Sequence, residues 1–275
     1  MKNTALKHFF ALVCFLFLVS LSLHAQGLSE KQIDSLVEKA RATFNVPGIA
    51  VAVIKDGEVI HLEGYGIRSI EEGGKVDENT LFGIASNTKA FTTAALAQLV
   101  DEGKIKWNTK VREIIPSFTL YNPYVSSAFT IRDLLTHRSG LGLGAGDLMI
   151  IPASVTTTKE ELIYNLRFLE HVSPFRTKFD YDNLLYIVAG EVVERVSGMP
   201  YEAYVMKNIV QPLGMESTVM THKKIEDNPN IIEGHVPVNG ELKTVGLTIS
   251  EASNAAGGMW SSVNDMSKWV LAQLN

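Results

Sequence analysis

Cysteine is almost absent from this 275-residue sequence, in which Cys14 is the only one. A disulfide-stabilised scaffold is therefore excluded. Histidine is also sparse: the seven histidines are scattered, and there is no HExxH motif. These absences argue against a zinc hydrolase, so we expect no metal and no other cofactor.

Positive charge is in short supply as well. The sequence has 25 Lys and Arg against 30 Asp and Glu, a formal net charge of −5. A surface for nucleic acid carries an excess of basic residues, so we expect no nucleic-acid partner.

Two common catalytic and binding motifs are also missing: the GxSxG elbow of α/β-hydrolases and the GxxxxGK[ST] phosphate loop. With 46% hydrophobic residues, the chain still has enough apolar side chains for a globular core.

The N-terminal segment has the layout of a secretory signal peptide. Lys2 and Lys7 precede an apolar run over residues 9–23, and Ala25 is a small residue at a cleavage position. We predict that residues 1–25 are a signal peptide, that residues 26–275 form the domain, and that the protein is secreted or periplasmic. The alternative is an uncleaved anchor, which would be its one association with a membrane.

Hydrophobic periodicity predicts the order of helices and strands. Strands are expected over residues 49–54 and 59–65, joined by a hairpin turn at Lys55-Asp56-Gly57-Glu58. Helices are predicted over residues 28–43, 86–102, 184–196 and 265–274, with a further short helix over 201–209. Residues 107–174 favour short helices and loops, and strand-like runs return between residues 216 and 247. This order indicates an α/β domain with an inserted helical lobe.

Ser86-Asn87-Thr88-Lys89 is the one place where lysine follows a serine by three residues. About one such pair is expected by chance, so its position matters more than its presence. Ser86 lies where an extended segment turns into a helix, whose N-terminus stabilises a developing oxyanion. Lys89 is one turn further on, and when desolvated and neutral it can act as the base that a serine nucleophile needs. The alternative is a helix-capping Ser86 beside a solvated Lys89.

The segment Phe179-Asp180-Tyr181-Asp182-Asn183 supplies a second group of candidates. In an extended segment Tyr181 and Asn183 lie on the same side. A phenol near a protonated lysine has its ionised form favoured, so Tyr181 can take the serine proton and return it to a leaving group. The Asn183 amide suits a substrate amide. Alternatively, Tyr181 packs into the core and Asn183 caps the helix at Leu184, or Asn183 serves both purposes.

Ser86-x-x-Lys89 followed by Tyr181-x-Asn183 resembles the serine β-lactamase and penicillin-binding-protein superfamily, in particular its class C-like branch, which includes carboxypeptidases and esterases. Further segments resemble that family in the same order: residues 80–85 (TLFGIA), 130–141 (TIRDLLTHRSGL), 212–215 (PLGM) and 256–259 (AGGM). The resemblance covers residues 28–275. It implies an α/β (α+β) fold of the β-lactamase/transpeptidase type, with an antiparallel sheet flanked by helices and an inserted, mostly helical lobe.

The resemblance also implies a mechanism. Ser86 would form the acyl-enzyme and supply half of the oxyanion hole through its N–H group, while Lys89 and Tyr181 would act as general base and acid. Asn183 would bind the substrate, which we expect to be a small molecule or peptide: a β-lactam, a D-amino-acid peptide or a small ester. A penicillin-binding sensor or an inactive relative without turnover is the alternative. Loops around the site, such as residues 142–158, are expected to determine which substrate is accepted.

The third motif of that family, Lys-Thr-Gly or His-x-Gly, is expected on a strand after the Ala-Gly-Gly segment. Lys243-Thr244-Val245 precedes that segment and has valine in place of the glycine, so we do not expect it to fill this role. We therefore expect a C-terminally incomplete domain, with the chain an N-terminal fragment of a longer protein.

His137 is expected to be structural, because Lys89 and Tyr181 already fill the role of base.

Overall fold

The computed structural model describes residues 27–151, 156–221, 225, 228–246 and 250–274, and the predicted signal peptide lies outside these ranges. No helix within the described residues is both long and apolar enough to span a membrane. The chain divides into two compact units at Phe44 and Asn45. In the first unit, α1 (Glu30–Thr43) begins at a capping box, in which the Ser29 N–H donates to Gln32 Oε1 at 2.9 Å.

The second unit begins with an antiparallel sheet of three strands in the order β1 (Gly48–Lys55), β2 (Glu58–Ser69) and β3 (Gly73–Lys75). The turn between β1 and β2 has positive φ at both Asp56 (51°) and Gly57 (81°). Positive φ at both central residues is typical of a type I′ turn, whose twist matches that of the strands it joins. The predicted hairpin is confirmed, and β2 continues four residues beyond its predicted end at Tyr65.

Two further strand pairs are short. β4 (Phe82–Gly83) pairs with β7 (Trp260–Ser261), and β5 (Gly234–Val238) forms a hairpin with β6 (Glu241–Val245). In the first pair Gly83 lies opposite Trp260. This pairing brings the segment before Ser86 next to the segment that follows the Ala-Gly-Gly sequence, although more than half of the chain lies between them.

Helices make up most of the second unit between residues 88 and 210, and two more follow near its end. They are α2 (Thr88–Asp101), α3 (Val111–Ile114), α4 (Pro123–Ala128), α5 (Ile131–Leu135), α6 (Lys159–Asn165), α7 (Leu184–Ser197), α8 (Tyr201–Val205), α9 (Asn254–Gly257) and α10 (Val263–Leu274). α2 and α7 contribute many of the residues of one large apolar core. On α2, Phe91 stacks on Trp269 of α10 with ring centroids 4.1 Å apart. The α+β class with an inserted helical lobe is confirmed.

Two helices differ from the prediction at one end. The helix predicted from Ser86 begins as a 3₁₀ turn over Ala85–Asn87, in which Ala85 has a positive φ of 46°, and α2 itself starts at Thr88. The helix predicted over 201–209 changes at Met206 into a π-helical turn, Met206–Val210. α7 ends where expected, at Gly198, whose φ of 72° is the left-handed conformation of a helix C-terminus.

The short helix α9 packs closely on α7 because residue 190 is a glycine. A Cβ atom at Gly190 would lie 2.6 Å from the Cβ of Ala255, which is closer than two carbon atoms can approach. On its other side α9 is tied to α2, where Thr92 Oγ1 donates to the Ala255 carbonyl at 2.7 Å. α9 is therefore fixed between the two central helices of the core.

Candidate active site

Ser86 lies in the 3₁₀ turn between β4 and α2, with its side chain exposed. Hydrogen bonds hold the turn on both sides. The Ile84 N–H donates to the Met259 carbonyl at 3.0 Å, and Thr88 Oγ1 accepts from the Met259 N–H at 3.2 Å. The left-handed φ of Ala85 costs about 1–2 kcal/mol in a residue with a Cβ, and these contacts keep it in place.

Lys89 is buried: only 6% of its surface is exposed. Its ammonium group donates three hydrogen bonds, to Ser86 Oγ at 3.1 Å, to Asn183 Oδ1 at 2.8 Å and to the Ala256 carbonyl at 2.6 Å. The three acceptors come from three different parts of the chain: the 3₁₀ turn, the start of α7 and α9. A solvated surface lysine, the alternative left open by the sequence, is therefore wrong.

These three partners differ in what they can do with a proton. The carbonyl oxygens of Asn183 and Ala256 only accept hydrogen bonds, whereas the hydroxyl of Ser86 can also donate one. A neutral lysine has two N–H bonds and one lone pair. With its N–H bonds on the two carbonyl oxygens, its lone pair faces Ser86, which is the geometry of a base acting on that hydroxyl.

Burial of the Lys89 side chain favours this neutral form. Burial lowers the pKa of Lys89 below its ordinary value of 10.5, although the hydrogen bond and charge of Tyr181 and the charges of Asp147 and Asp182 act in the opposite direction. The ring centroids of Tyr181 and Tyr186 lie 4.9 and 5.4 Å from Lys89 Nζ, and such cation–π contacts also favour the ammonium form. Burial is thus the one cause among these that lowers the pKa. A larger share of Lys89 is therefore neutral near neutral pH than of an ordinary lysine.

Tyr181 also contacts Ser86, from the segment that precedes α7. Its hydroxyl donates to Ser86 Oγ at 2.6 Å. Its ring stacks on that of His137 with centroids 4.4 Å apart, and His137 Nδ1 accepts from the Asp182 N–H at 3.1 Å. Burial, assisted by the charge of Lys89, lowers the pKa of His137, which keeps the imidazole neutral as this hydrogen bond requires. His137 therefore supports the Tyr181 ring.

Asn183 uses both ends of its side-chain amide. Oδ1 accepts from Lys89, and Nδ2 donates to Asp147 Oδ1 at 3.0 Å. Asn183 stands at the N-cap position of α7 but makes no side-chain cap hydrogen bond. The capping role considered for Asn183 is wrong, because Asp182 performs it: its Oδ1 accepts from the Leu185 N–H at 3.1 Å.

Asp182 is fully buried, and its Oδ2 atom has no hydrogen-bond partner among the described residues. Desolvation raises the pKa of this carboxyl to about 7, with a smaller contribution in the same direction from the charge of Asp147. A carboxyl group that titrates near neutral pH thus lies directly between Tyr181 and Asn183 in the sequence.

A pocket of about 180 Å³ opens beside Ser86. Besides Ser86 it is lined by Ala85, Ile150, Ile151, Asn183, Ser253, Ala256 and Gly257, which are mostly small or apolar. Ser253 is the second serine of the pocket, and its hydroxyl donates to the Ser250 carbonyl at 2.6 Å. A concave, mostly apolar space with a few polar groups is typical of a small-molecule site.

The structure thus brings together all four predicted site residues: Ser86, Lys89, Tyr181 and Asn183. Sequence reasoning singled out residues 142–158 and 256–259 without a role for Asp147 or Ala256, and it named Asp182 without giving it a role. An Asp before an apolar helical run is an N-cap signal, so Asp182 could have been found. Nothing in the sequence marks the carbonyl of Ala256 or the side chain of Asp147.

The segment Lys243-Thr244-Val245 makes its described contacts elsewhere. It belongs to β6, where Lys243 Nζ lies 3.3 Å from Glu241 Oε2. Thr244 Oγ1 donates to Glu71 Oε1 at 2.6 Å, and Glu71 lies in the turn between β2 and β3. These contacts place the segment against the turn between β2 and β3.

An α+β fold with a serine held between a buried lysine and a tyrosine defines a class of hydrolases. The family model described as Beta-lactamase matches residues 33–275, and the chain belongs to this β-lactamase family. Among curated relatives, the Unguisins hydrolase ungD of Aspergillus violaceofuscus is 33% identical over 87% of this chain and 44% of its own length. Protein flp of Staphylococcus aureus is 27% identical over 90% of this chain and 49% of its own length.

Solved structures agree with this assignment. The octameric penicillin-binding protein homologue from Pyrococcus abyssi is 31% identical with a TM-score of 0.76, covering 89% of this chain and 56% of that one. A class C β-lactamase is 22% identical with a TM-score of 0.73, covering 90% of this chain and 66% of that one, and shows the shared fold. The chain spans about half the length of the curated relatives it matches.

Proposed function

We propose that this protein is a serine hydrolase that forms an acyl-enzyme on Ser86. The observation that carries this proposal is the convergence of two proton-transferring groups on Ser86 Oγ, Lys89 Nζ at 3.1 Å and the Tyr181 hydroxyl at 2.6 Å. A serine hydroxyl is a weak nucleophile until a base takes its proton. Here one neighbour can take that proton and the other can supply one to a leaving group.

The proposed acylation follows from these contacts. Neutral Lys89 accepts the Ser86 proton as Oγ bonds to the substrate carbonyl carbon, which gives a tetrahedral oxyanion. The oxyanion forms at the start of α2, where the helix dipole favours negative charge. When the bond to the leaving group breaks, Tyr181 protonates that group, and the Lys89 ammonium returns a proton to Tyr181. Water then releases the acyl group by the reverse sequence of proton transfers.

The substrate class we propose is an amide or ester with a compact, uncharged acyl substituent: a β-lactam, a D-amino-acid peptide or a small ester. No charged side chain is among the residues that line the described pocket. The Asn183 amide faces the same pocket and suits a substrate amide. A relative named as an unguisins hydrolase and a neighbour titled a penicillin-binding protein homologue support this range of substrates.

The test combines covalent labelling with turnover. The protein and Ser86→Ala are incubated with a fluorescent penicillin and with a fluorophosphonate, and hydrolysis of a chromogenic cephalosporin, a D-alanyl-D-alanine peptide and p-nitrophenyl esters is followed in parallel. Labelling and turnover that both depend on Ser86 are the expected result. Stable labelling without turnover would indicate a penicillin-binding sensor, and labelling by neither probe would contradict the proposal.

We further propose that the protein is exported and that residues 1–25 are removed. The layout of Lys2, Lys7, the apolar run and Ala25 supports this. The intact mass of the protein recovered from the cell envelope or the medium is expected to correspond to a chain that begins at Gln26. A mass that includes Met1 in that fraction would contradict cleavage, and recovery from the cytosol alone would contradict export.

A further inference from the structure

Asp147 comes from the loop expected to border the site, where it begins a 3₁₀ turn, Asp147–Met149. Its Oδ1 atom accepts the hydrogen bond from Asn183 Nδ2 at 3.0 Å. Asn183 in turn accepts from Lys89 at 2.8 Å. A continuous chain of hydrogen bonds therefore runs from Asp147 through the Asn183 amide and Lys89 to Ser86.

We propose that Asp147 is a positioning residue, whose carboxylate fixes the Asn183 amide with its oxygen towards Lys89 and one N–H free for the substrate. This inference rests on the proposed function of Ser86, Lys89 and Asn183. It concerns the geometry of the amide, which can be measured without any substrate.

The argument begins with the two orientations open to an asparagine amide. A carboxylate only accepts hydrogen bonds and an ammonium only donates them. In the observed orientation the Asn183 N–H meets the Asp147 carboxylate and the Asn183 oxygen meets Lys89. Rotation by half a turn would place oxygen against carboxylate and N–H against ammonium, which are both repulsive. Asp147 and Lys89 together therefore select one orientation.

Backbone hydrogen bonds fix the loop that carries Asp147, so its carboxylate stays beside the Asn183 amide. The Gly144 N–H donates to the Tyr181 carbonyl at 2.9 Å, and the Ile150 and Ile151 N–H groups both donate to the Asp147 carbonyl at 3.0 Å. Gly146 has a φ of 80°, and a Cβ there would lie 2.4 Å from Leu184 Cδ1. A glycine at this position lets the loop lie directly against the first residue of α7.

The charge of Asp147 also acts on Lys89. It favours the ammonium form of Lys89, as do Tyr181 and Asp182, whereas burial disfavours it. The other groups that face Lys89 are His137, which is neutral and stacks on Tyr181, and the phenol of Tyr186. Removal of the Asp147 charge is expected to move the acidic limb of the pH–rate profile to lower pH, because less of Lys89 is then protonated.

Two substitutions separate the hydrogen bond from the charge. Asp147→Asn removes the charge and keeps a carbonyl acceptor for Asn183, whereas Asp147→Ala removes both. We expect Asp147→Ala to lower the plateau kcat/KM by about tenfold, the scale of one lost hydrogen bond to a charged group. Asp147→Asn is expected to stay within about threefold of the unchanged protein at the plateau, with its acidic limb shifted. Glu160→Gln, which removes a charge from an exposed position on α6, serves as the control.

A second readout needs no catalysis. Solvent exchange of the Asn183 side-chain amide protons, assigned by the loss of their signals in Asn183→Asp, is followed by NMR in the resting protein. One proton is expected to be protected in the unchanged protein and in Asp147→Asn, and unprotected in Asp147→Ala. Absence of protection in the unchanged protein, or equal losses of kcat/KM in the two Asp147 variants, would overturn the inference. Absence of labelling in the unchanged protein would instead overturn the proposed function.

Discussion

The Tyr181 hydroxyl donates a 2.6 Å hydrogen bond to Ser86 Oγ across 95 residues of sequence. The neutral imidazole of His137 stacks on the Tyr181 ring, and the N–H of Asp182 donates to that imidazole. The position of the phenol is therefore set by packing that does not involve the serine. This independence allows the hydroxyl to be removed without disturbing its surroundings.

Tyr181→Phe keeps the ring and its stack on His137 and removes the hydroxyl. We expect the acylation rate of Ser86 to fall by about 10²–10⁴-fold, the contribution of a positioned acid or base. The melting temperature should change little, because the ring packing is preserved. The measurement is the rate of labelling by a fluorescent penicillin or an active ester, together with a thermal melt.

Tyr164→Phe is the matched control, since Tyr164 is an exposed phenol of α6 that lies outside the site. It should label at the rate of the unchanged protein. Equal labelling rates for Tyr181→Phe and Tyr164→Phe would show that the Tyr181 hydroxyl takes no part in proton transfer.

Lys89→Arg retains a positive charge but cannot lose a proton at working pH. If Lys89 is the base, labelling falls by about 10²–10⁴-fold in this variant. In the unchanged protein the labelling rate should rise with pH to a midpoint below 10.5, because burial lowers the Lys89 pKa and the neutral amine is the active form. Labelling by a folded Lys89→Arg protein at near-normal rates would remove Lys89 from the mechanism.

Gly190→Ala tests whether the contact between α7 and α9 holds the Ala256 carbonyl on Lys89. The added Cβ would lie 2.6 Å from Ala255 Cβ, so α9 must move. We expect a loss of about 1–3 kcal/mol in the free energy of unfolding, as for other overpacked cores, together with slower acylation.

Gly198→Ala, at the residue that ends the same helix, is the control for Gly190→Ala. Gly198 has a left-handed φ of 72°, so an alanine there costs about 1 kcal/mol, but nothing lies within 4 Å of the new Cβ. This variant should be destabilised while the protein that remains folded acylates normally. An equal effect of the two substitutions on acylation would contradict a specific role for the α7–α9 contact.

The raised pKa of the buried Asp182 carboxyl should make the stability of the folded protein depend on pH. Its pKa is about 7 in the folded protein and about 3.9 in an unfolded chain. Between these values the folded state holds a proton that the unfolded state has lost, so this group's contribution to stability decreases as pH rises through the window. Asp182→Asn cannot ionise and keeps an acceptor for the Leu185 N–H.

Asp182→Asn should therefore be more stable than the unchanged protein near pH 8, by on the order of a few kcal/mol, with the advantage shrinking towards pH 4. Urea denaturation at several pH values gives the difference in unfolding free energy directly. Parallel stability curves for the two proteins over this range would show that Asp182 does not titrate as described.

Much of the fold could be predicted because hydrophobic periodicity is a local signal. The Asp56-Gly57 turn and the Gly198 helix end follow from backbone preferences that the sequence displays directly. The 3₁₀ turn that precedes α2 was not predicted, because the residues on either side of it hydrogen-bond to Met259, which is distant in the sequence. The pairing of β4 with β7 was also missed, since two-residue strands have no periodicity to detect.

In the site as well, the local features could be predicted and the long-range contacts could not. The spacing of Ser86 and Lys89 is a helical spacing, and Tyr181 and Asn183 are two apart in an extended segment, so each pair could be predicted. The burial of Lys89 and its bond to the Ala256 carbonyl could not, because they depend on how closely α9 approaches α7. Asp147 was equally hidden: its role depends on a loop conformation that places it beside Asn183.

The most direct test of the central claim is to locate the covalent adduct. The protein is treated with a fluorophosphonate or penicillin, its intact mass is measured, and the modified peptide is sequenced by tandem mass spectrometry. We predict a single adduct on Ser86 that disappears in Ser86→Ala and persists in Ser253→Ala, which alters the other serine of the same pocket. An adduct on Ser253, or one that survives Ser86→Ala, would contradict the assignment of Ser86 as the nucleophile.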